Sequence, residues 1–142
     1  MLIKKLKNHI NVIDQLPSWQ DAIRTAAQPL LEEKCIKPEY VDAMIRNVMD
    51  NGAYIIIIPG FAMPHARPEC GALKSGLSLL KLKKPVTFPE GEEVKLFIAL
   101  AAENEDAHLD VLGELSEILT DDDRMEELFE SNDRARILEL LR

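Results

Sequence analysis

Four consecutive isoleucines, residues 55–58, most constrain how this chain can fold. Isoleucine is β-branched, and a run bounded by Tyr54 and Pro59 is too short for a typical helix. A strand without polar alternation has both faces buried, as in sheets that are covered by helices on both sides. The run therefore predicts a buried central strand within a layered α/β fold.

Helical spacing of apolar residues predicts two long helices before this strand. The first follows Ser18, a typical N-cap residue. Pro29 is expected to kink this helix or end it early, because proline lacks the backbone donor that the helix needs. The second helix has Pro38 in its first turn and Gly52 as its C-terminal stop.

Apolar patterns elsewhere complete the predicted architecture. Residues 1–10 predict a short amphipathic helix, and residues 10–14 predict a short strand. Residues 75–82 and 94–102 predict two further strands, and three apolar stripes at helical spacing follow them. The whole chain, 142 residues, is therefore expected to be a single three-layer α/β domain, a mixed β-sheet flanked by helices.

Composition and charge argue against several classes of function. Seventeen basic and 25 acidic residues give a net charge of −8, whereas nucleic-acid or anionic-membrane binding needs a basic face. The lysine cluster Lys81, Lys83 and Lys84 is expected to be solvated surface. No apolar stretch reaches the roughly 18–20 residues that span a bilayer. Cys35 and Cys70 fit no disulfide framework, which favours a reducing cytoplasm.

The chain lacks the sequence motifs of common catalytic sites. Its three histidines, His9, His65 and His108, form no HxxxH or HExxH pair, and there is no CxxC pair. Neither a metal nor another cofactor is therefore expected. The absence of a GxSxG elbow and of a GxxxxGK[ST] loop argues against nucleophilic hydrolysis and P-loop nucleotide chemistry.

The segment "AMPHARPECG" makes His65 the most informative histidine. Pro64 fixes its own φ and pushes Met63 toward an extended conformation, while Gly60 and Gly71 permit sharp turns. The segment predicts a rigidly held histidine after a strand end, where α/β sheets commonly place their sites. These residues alone leave open whether His65 is structural or functional.

At this point the sequence resembles a known family. "NGAYIIIIPGFAMPHARPECG" resembles the active-site segment of the mannitol/fructose-type IIA components of the bacterial phosphoenolpyruvate-dependent sugar phosphotransferase system. "SWQDAIRTAAQPLLEEKCI", "PHARPECG" and "LLKLKKPVTF" are most similar to the L-ascorbate-type IIA proteins. The resemblance implies that family's fold and a phosphotransferase that works through a phosphohistidine. Its donor is HPr, its acceptor is a IIB component, and it serves the IIC permease only indirectly.

The resemblance also implies which residues form the site. The family's phosphorylated histidine follows an Ala-aliphatic-Pro pattern, which matches His65. Its second active-site histidine matches His108, and an arginine in the preceding helix matches Arg46. Arg67 is a weaker candidate. Asp106 is expected to cap the helix whose first turn holds His108, so that the positive end of the helix helps to hold a phosphate.

Two functions remain open at this level. One is a phosphoryl relay for the uptake of L-ascorbate or a related sugar acid. The other is a IIA-like regulatory domain whose phosphorylation state controls a protein partner. A domain that has lost its activity is disfavoured, because His65 and His108 are both present. Phe61 and Met63 are candidates for an exposed apolar rim that docks the partner proteins, with core packing as their alternative.

Overall fold

The computed structural model describes Leu6 and residues 9–141, so the helix predicted over residues 1–10 lies almost wholly outside the described residues. The strands in this part are β1 (Ile10–Ile13), β2 (Ile56–Ile58), β3 (Gly60–Ala62), β4 (Gly76–Thr87) and β5 (Glu93–Ala101). The helices are α1 (Trp19–Glu32), α2 (Pro38–Asn51), α3 (Glu105–Leu119), α4 (Asp122–Glu130) and α5 (Arg134–Leu140).

The strands form one mixed sheet in the order β1-β4-β5-β3-β2. The β1–β4 and β3–β5 pairs are parallel, and the β4–β5 and β2–β3 pairs are antiparallel. Along β4, Leu80 and Leu82 pack with α1 and α2, whereas Leu77 and Leu79 pack with α3, α4 and α5. Helices therefore cover both faces of the sheet, and the predicted three-layer α/β fold is confirmed.

The isoleucine run does not form the central strand, so that prediction is wrong. Only three of its residues belong to β2, which lies at the edge of the sheet, and the Ile57 side chain there is 41% exposed. The central places belong to β4 and β5, which have 12 and nine residues. Pro59 and Gly60, whose φ is +89°, turn the chain after β2, and such a short strand has few ladder hydrogen bonds to offer.

Helix boundaries follow the predicted capping residues. Ser18 accepts a hydrogen bond from the Asp21 N–H at 3.2 Å, Pro38 begins α2, and Gly52 ends it with a φ of +83°. Of the two expectations for Pro29, a kink in α1 or an early end, the early end is wrong, because the helix continues to Glu32. A proline in the last turn removes only one intrahelical hydrogen bond, which the apolar packing of the helix offsets.

Lys81 departs from the expected solvated surface, although Lys83 and Lys84 are exposed. It lies within β4 with 1% of its surface exposed, and burial lowers its pKa to about 8. Its ammonium group donates to the Asn132 side chain at 3.0 Å and to the Leu82 carbonyl at 3.3 Å. The sheet buries this lysine because residues of one strand alternate between its two covered faces.

Replacement of Gly60 by alanine is expected to lower the free energy of unfolding by about 1–3 kcal/mol. The positive φ disfavours any side chain, and a Cβ there lies 3.1 Å from the Phe129 ring. Gly113→Ala is the matched control, because nothing lies within 4 Å of its added Cβ inside α3. The control should stabilise by about 0.5–1 kcal/mol. Urea denaturation measures both, and equal effects would contradict the account of Gly60.

Candidate active site

His65 follows a short extended segment that leaves β3. The Met63 N–H donates to the Ile55 carbonyl at 2.8 Å, and the Leu100 N–H donates to the Pro64 carbonyl at 2.9 Å. These hydrogen bonds attach the chain just before His65 to Ile55 on one side and to β5 on the other. Met63, like Phe61, is 1% exposed, so both residues belong to the core and neither forms the exposed rim.

The His65 ring is oriented by a hydrogen bond within its own segment. Its Nδ1 lies 2.8 Å from the carbonyl oxygen of Met63. Because a carbonyl oxygen can only accept, Nδ1 must carry a proton in this contact. In the neutral ring, Nε2 then keeps a free lone pair. In the half-buried ring, Nε2 is therefore the nitrogen that is free to accept a bond.

A cavity of about 680 Å³ opens beside this ring. The end of α2, the segment after β3 and the first turn of α3 supply its walls. The His65 and His108 ring centroids are 5.1 Å apart, and the Tyr54 ring meets His65 edge-on at 5.8 Å. The lining residues are Asn47, Asn51, Tyr54, His65, Ala66, Arg67, Pro68, Glu105, His108 and Leu109. Two of the histidines are thus brought together from distant parts of the sequence.

His108 lies in the first turn of α3, as expected, but the predicted cap is wrong. Asn104, not Asp106, is the N-cap, and its side chain accepts the Ala107 N–H at 2.8 Å. The backbone is extended at Asn104 and helical from Glu105 onward, so Asp106 is already inside the helix. The positive end of α3 therefore lies at the cavity wall, where it favours an anion.

Burial lowers the pKa of His108 below the ordinary histidine value, and the nearby His65 lowers it further. The Glu105 carboxylate acts in the opposite direction and raises it. The ring of His108 is therefore held neutral at neutral pH and has one N–H to donate. A neutral hydrogen-bond donor such as this ring stabilises an anion less strongly than a positively charged donor would.

Arg46 is not brought to the cavity. It is exposed on α2 and is not among the residues that line the cavity wall, whereas Asn47 and Asn51 are. Successive helix residues are rotated by about 100°, so a shift of one position changes the face. Sequence reasoning did not assign a site role to Asn47, Asn51 or Tyr54. The i, i+4 spacing of the two asparagines at the end of a helix was the available signal.

Arg67 does reach the cavity, and among the residues that the structure describes it is the only arginine or lysine in the lining. Within residue 6 and residues 9–141, no three His, Cys, Asp or Glu side chains are grouped to hold a metal ion. In the same part of the chain, no helix has the length and apolar character that crossing a membrane requires.

Comparison with known proteins identifies the family. Residues 5–142 match the family described as "Phosphoenolpyruvate-dependent sugar phosphotransferase system, EIIA 2". The chain belongs to this family. The match confirms the resemblance seen in the sequence and places the two histidines within a fold used by phosphoryl carriers.

Relatives of this IIA-family chain include proteins named for two sugars. The mannitol-specific cryptic phosphotransferase enzyme IIA component of Escherichia coli (strain K12) is 38% identical over 136 residues, which are 95% of this chain and 92% of that protein. The ascorbate-specific PTS system EIIA component of the same strain is 32% identical over 127 residues, 87% of this chain and 82% of that protein.

Solved structures of IIA proteins share the fold. The solution structure of the mannitol-specific cryptic enzyme IIA from Escherichia coli has a TM-score of 0.92 at 37% identity, covering 99% of this chain and 98% of that one. A complex of enzyme IIAMTL and phosphorylated enzyme IIBMTL from Escherichia coli matches with a TM-score of 0.79 at 27% identity, covering 94% and 93%.

The pKa of His108 should respond in opposite directions to the loss of its two ionisable neighbours, Glu105 and His65. Glu105→Gln should move its pKa further down, because the carboxylate stabilises the protonated ring. His65→Ala should move it up, because one source of repulsion is lost. NMR titration of the ring resonances measures both, with Glu117→Gln, exposed farther along α3, as the control. A rise in the pKa of His108 in the Glu105→Gln variant would contradict the effect assigned to the Glu105 carboxylate.

Proposed function

We propose that this protein is the phosphoryl-carrier IIA component of a sugar phosphotransferase system, and that His65 is the residue that is phosphorylated. The supporting observation is the hydrogen bond from Nδ1 to the Met63 carbonyl, which leaves Nε2 free beside the cavity and the His108 ring. Membership of the family supplies the reaction class. A free imidazole nitrogen is nucleophilic at cellular pH.

In the proposed first step, Nε2 of His65 attacks the phosphorus of phosphohistidine on HPr in line. The new P–N bond forms as the P–N bond of the donor breaks, and the donor ring leaves as a free imidazole. The Nδ1 proton stays on the His65 ring. The Nδ1–H donates a hydrogen bond to the Met63 carbonyl, which stabilises the positive charge that the ring gains. Catalysis then consists mainly of positioning and electrostatic stabilisation.

The phosphoryl oxygens need donors, and the cavity supplies a moderate number. The candidates are the His108 ring N–H, the first turn of α3, the Asn47 amide and the Arg67 guanidinium. A helix N-terminus contributes about 0.3–1 kcal/mol in an exposed geometry. The Glu105 carboxylate in the same wall opposes tight binding of an anion. This balance suits a group that must leave again, since a cluster of arginines would retain it.

In the second step we propose that a cysteine thiolate of a IIB component takes the phosphoryl group from Nε2, which becomes the leaving group. The related IIAMTL, whose complex with phosphorylated IIBMTL is solved, supports such a partner. Tyr54 and Leu109 line the cavity with 46% and 63% exposure, and we assign the docking of HPr and IIB to this apolar rim. The IIC permease is served only through IIB.

We propose L-ascorbate or a related sugar acid as the transported substrate, with mannitol as the alternative. Relatives named for each sugar support these two candidates. In this scheme the IIA component contacts HPr and IIB but never the sugar. The proposed compartment is the cytoplasm, where phosphoenolpyruvate is available as the source of phosphoryl groups.

Incubation with phosphoenolpyruvate, enzyme I and HPr should place one acid-labile, base-stable phosphate on this chain. ³¹P NMR should assign it to Nε2 of His65. His65→Ala should take no label, whereas His9→Ala, the matched control outside the cavity, should be labelled like the wild type. An unlabelled wild type, or a fully labelled His65→Ala, would overturn the proposal.

Addition of purified IIB proteins to the labelled chain extends the same experiment. Rapid loss of label to an ascorbate-type IIB supports the proposed sugar class, and loss to a mannitol-type IIB supports the alternative. Retention of the label with every IIB would favour the regulatory function over the relay.

His108→Ala should slow transfer from HPr by about 10²–10³-fold without moving the label, because one preorganised donor to the phosphoryl oxygens is lost. On α2, Asn47→Ala should slow transfer more than Arg46→Ala, since only Asn47 lines the cavity. Rapid-quench kinetics measure all three variants. A wild-type rate in His108→Ala would remove that ring from the mechanism, and the reverse order on α2 would restore Arg46 to it.

A further inference from the structure

The buried hydroxyl of Tyr40 joins three parts of the structure. Tyr40 belongs to α2 and is 1% exposed. Its oxygen accepts the Ala66 N–H at 3.1 Å and lies 2.9 Å from the Leu100 carbonyl and 3.1 Å from the Ala66 carbonyl. A phenol has one proton to give, and the shorter contact with Leu100 is the natural acceptor. The hydroxyl thus links α2, the segment after β3 and the end of β5.

These contacts bracket His65 on both sides. Ala66 is the next residue in the chain, so Tyr40 holds the backbone immediately after the ring. The Leu100 carbonyl accepts a hydrogen bond from the Tyr40 hydroxyl, and the Leu100 N–H donates one to the carbonyl of Pro64, the residue before His65. Tyr40, Leu100 and the segment 64–66 therefore form a closed set of hydrogen bonds with His65 at its centre.

The Leu100 contact lies near the point where the chain leaves β5 for the helix that holds His108. Leu100 is the penultimate residue of β5, and the chain leaves that strand for the Asn104 cap and the first turn of α3. The hydroxyl is well suited to a permanent bridge, because burial raises the pKa of Tyr40 to about 12 and the group stays protonated at neutral pH. The Tyr40 side chain does not line the cavity, whereas its partner Ala66 does.

We propose that Tyr40 is a positioning residue for phosphoryl transfer, because its hydroxyl holds the segment 64–66 so that His65 keeps Nδ1 on the Met63 carbonyl and offers Nε2. The inference rests on the proposed phosphorylation of His65. On this account Tyr40, which does not line the cavity, determines which nitrogen of the His65 ring reacts.

The first test measures the tautomer of the His65 ring in the absence of a phosphoryl donor. ¹⁵N NMR of the unphosphorylated wild type should show His65 as the single tautomer with the proton on Nδ1. Tyr40→Phe removes one oxygen and keeps the ring, and it should give a mixture of both tautomers. Val41→Ala is the matched control, a buried apolar change at the next position of the same helix, and should keep the single tautomer.

The second test measures the rate of phosphoryl transfer and the ring nitrogen that receives the phosphate. Tyr40→Phe should slow labelling by HPr by about tenfold or more, and ³¹P NMR should find the phosphate divided between Nε2 and Nδ1. Val41→Ala should label only Nε2. Loss of stability alone moves neither the tautomer nor the labelled nitrogen in molecules that remain folded, so these readouts separate positioning from packing.

A single Nδ1–H tautomer in folded Tyr40→Phe would overturn the inference. If that variant does not fold, 3-fluorotyrosine at position 40 keeps the ring and hydroxyl but weakens the oxygen as an acceptor from Ala66. An unchanged tautomer population there would likewise overturn it. A wild type that takes no label refutes the phosphoryl-carrier proposal instead, and the tautomer comparison still decides whether Tyr40 orients His65.

Discussion

The antiparallel pairing of β4 with β5 is the constraint on which the rest of the structure depends. The two strands are paired from Gly76 and Ala101 to Thr87 and Glu93, with a register shift between Lys81 and Val86. Their side chains alternate between two apolar clusters, one under α1 and α2 and the other under α3, α4 and α5. Both faces of this strand pair are therefore buried against apolar side chains, and such burial drives folding.

The candidate site is built at one end of this strand pair. Leu100 lies near the end of β5. Its N–H donates to the Pro64 carbonyl, and its carbonyl accepts from the Tyr40 hydroxyl. The residues before and after His65 are thereby attached to β5, the middle strand of the sheet. His108 follows from the same strand through the cap at Asn104. Both rings are thus positioned by one element, although 43 positions separate them in the sequence (108 minus 65).

The electrostatic character of the site agrees with transient binding of a phosphoryl group. A neutral His108, one arginine and a helix N-terminus favour an anion, whereas Glu105 disfavours it. In the proposed mechanism, such a site would stabilise charge in the transition state without holding the phosphorylated form too tightly. Like the Glu105 carboxylate, the net charge of −8 disfavours a bound anion, and it acts over a longer range.

Much of this protein was determined by its sequence alone: the layered α/β class, the capping residues Ser18 and Gly52, the family, and the candidates His65 and His108. These features depend on residues a few positions apart or on one extended motif. Only the tertiary structure decided that the isoleucine run lies at the sheet edge, that Lys81 is buried, and that Asn47 rather than Arg46 lines the cavity. Strand order depends on which pairings bury the most surface, and the face of a helix depends on what packs against it. The hydroxyl of Tyr40 shows the same limit, because its partners lie 26 and 60 positions away and no local pattern connects them.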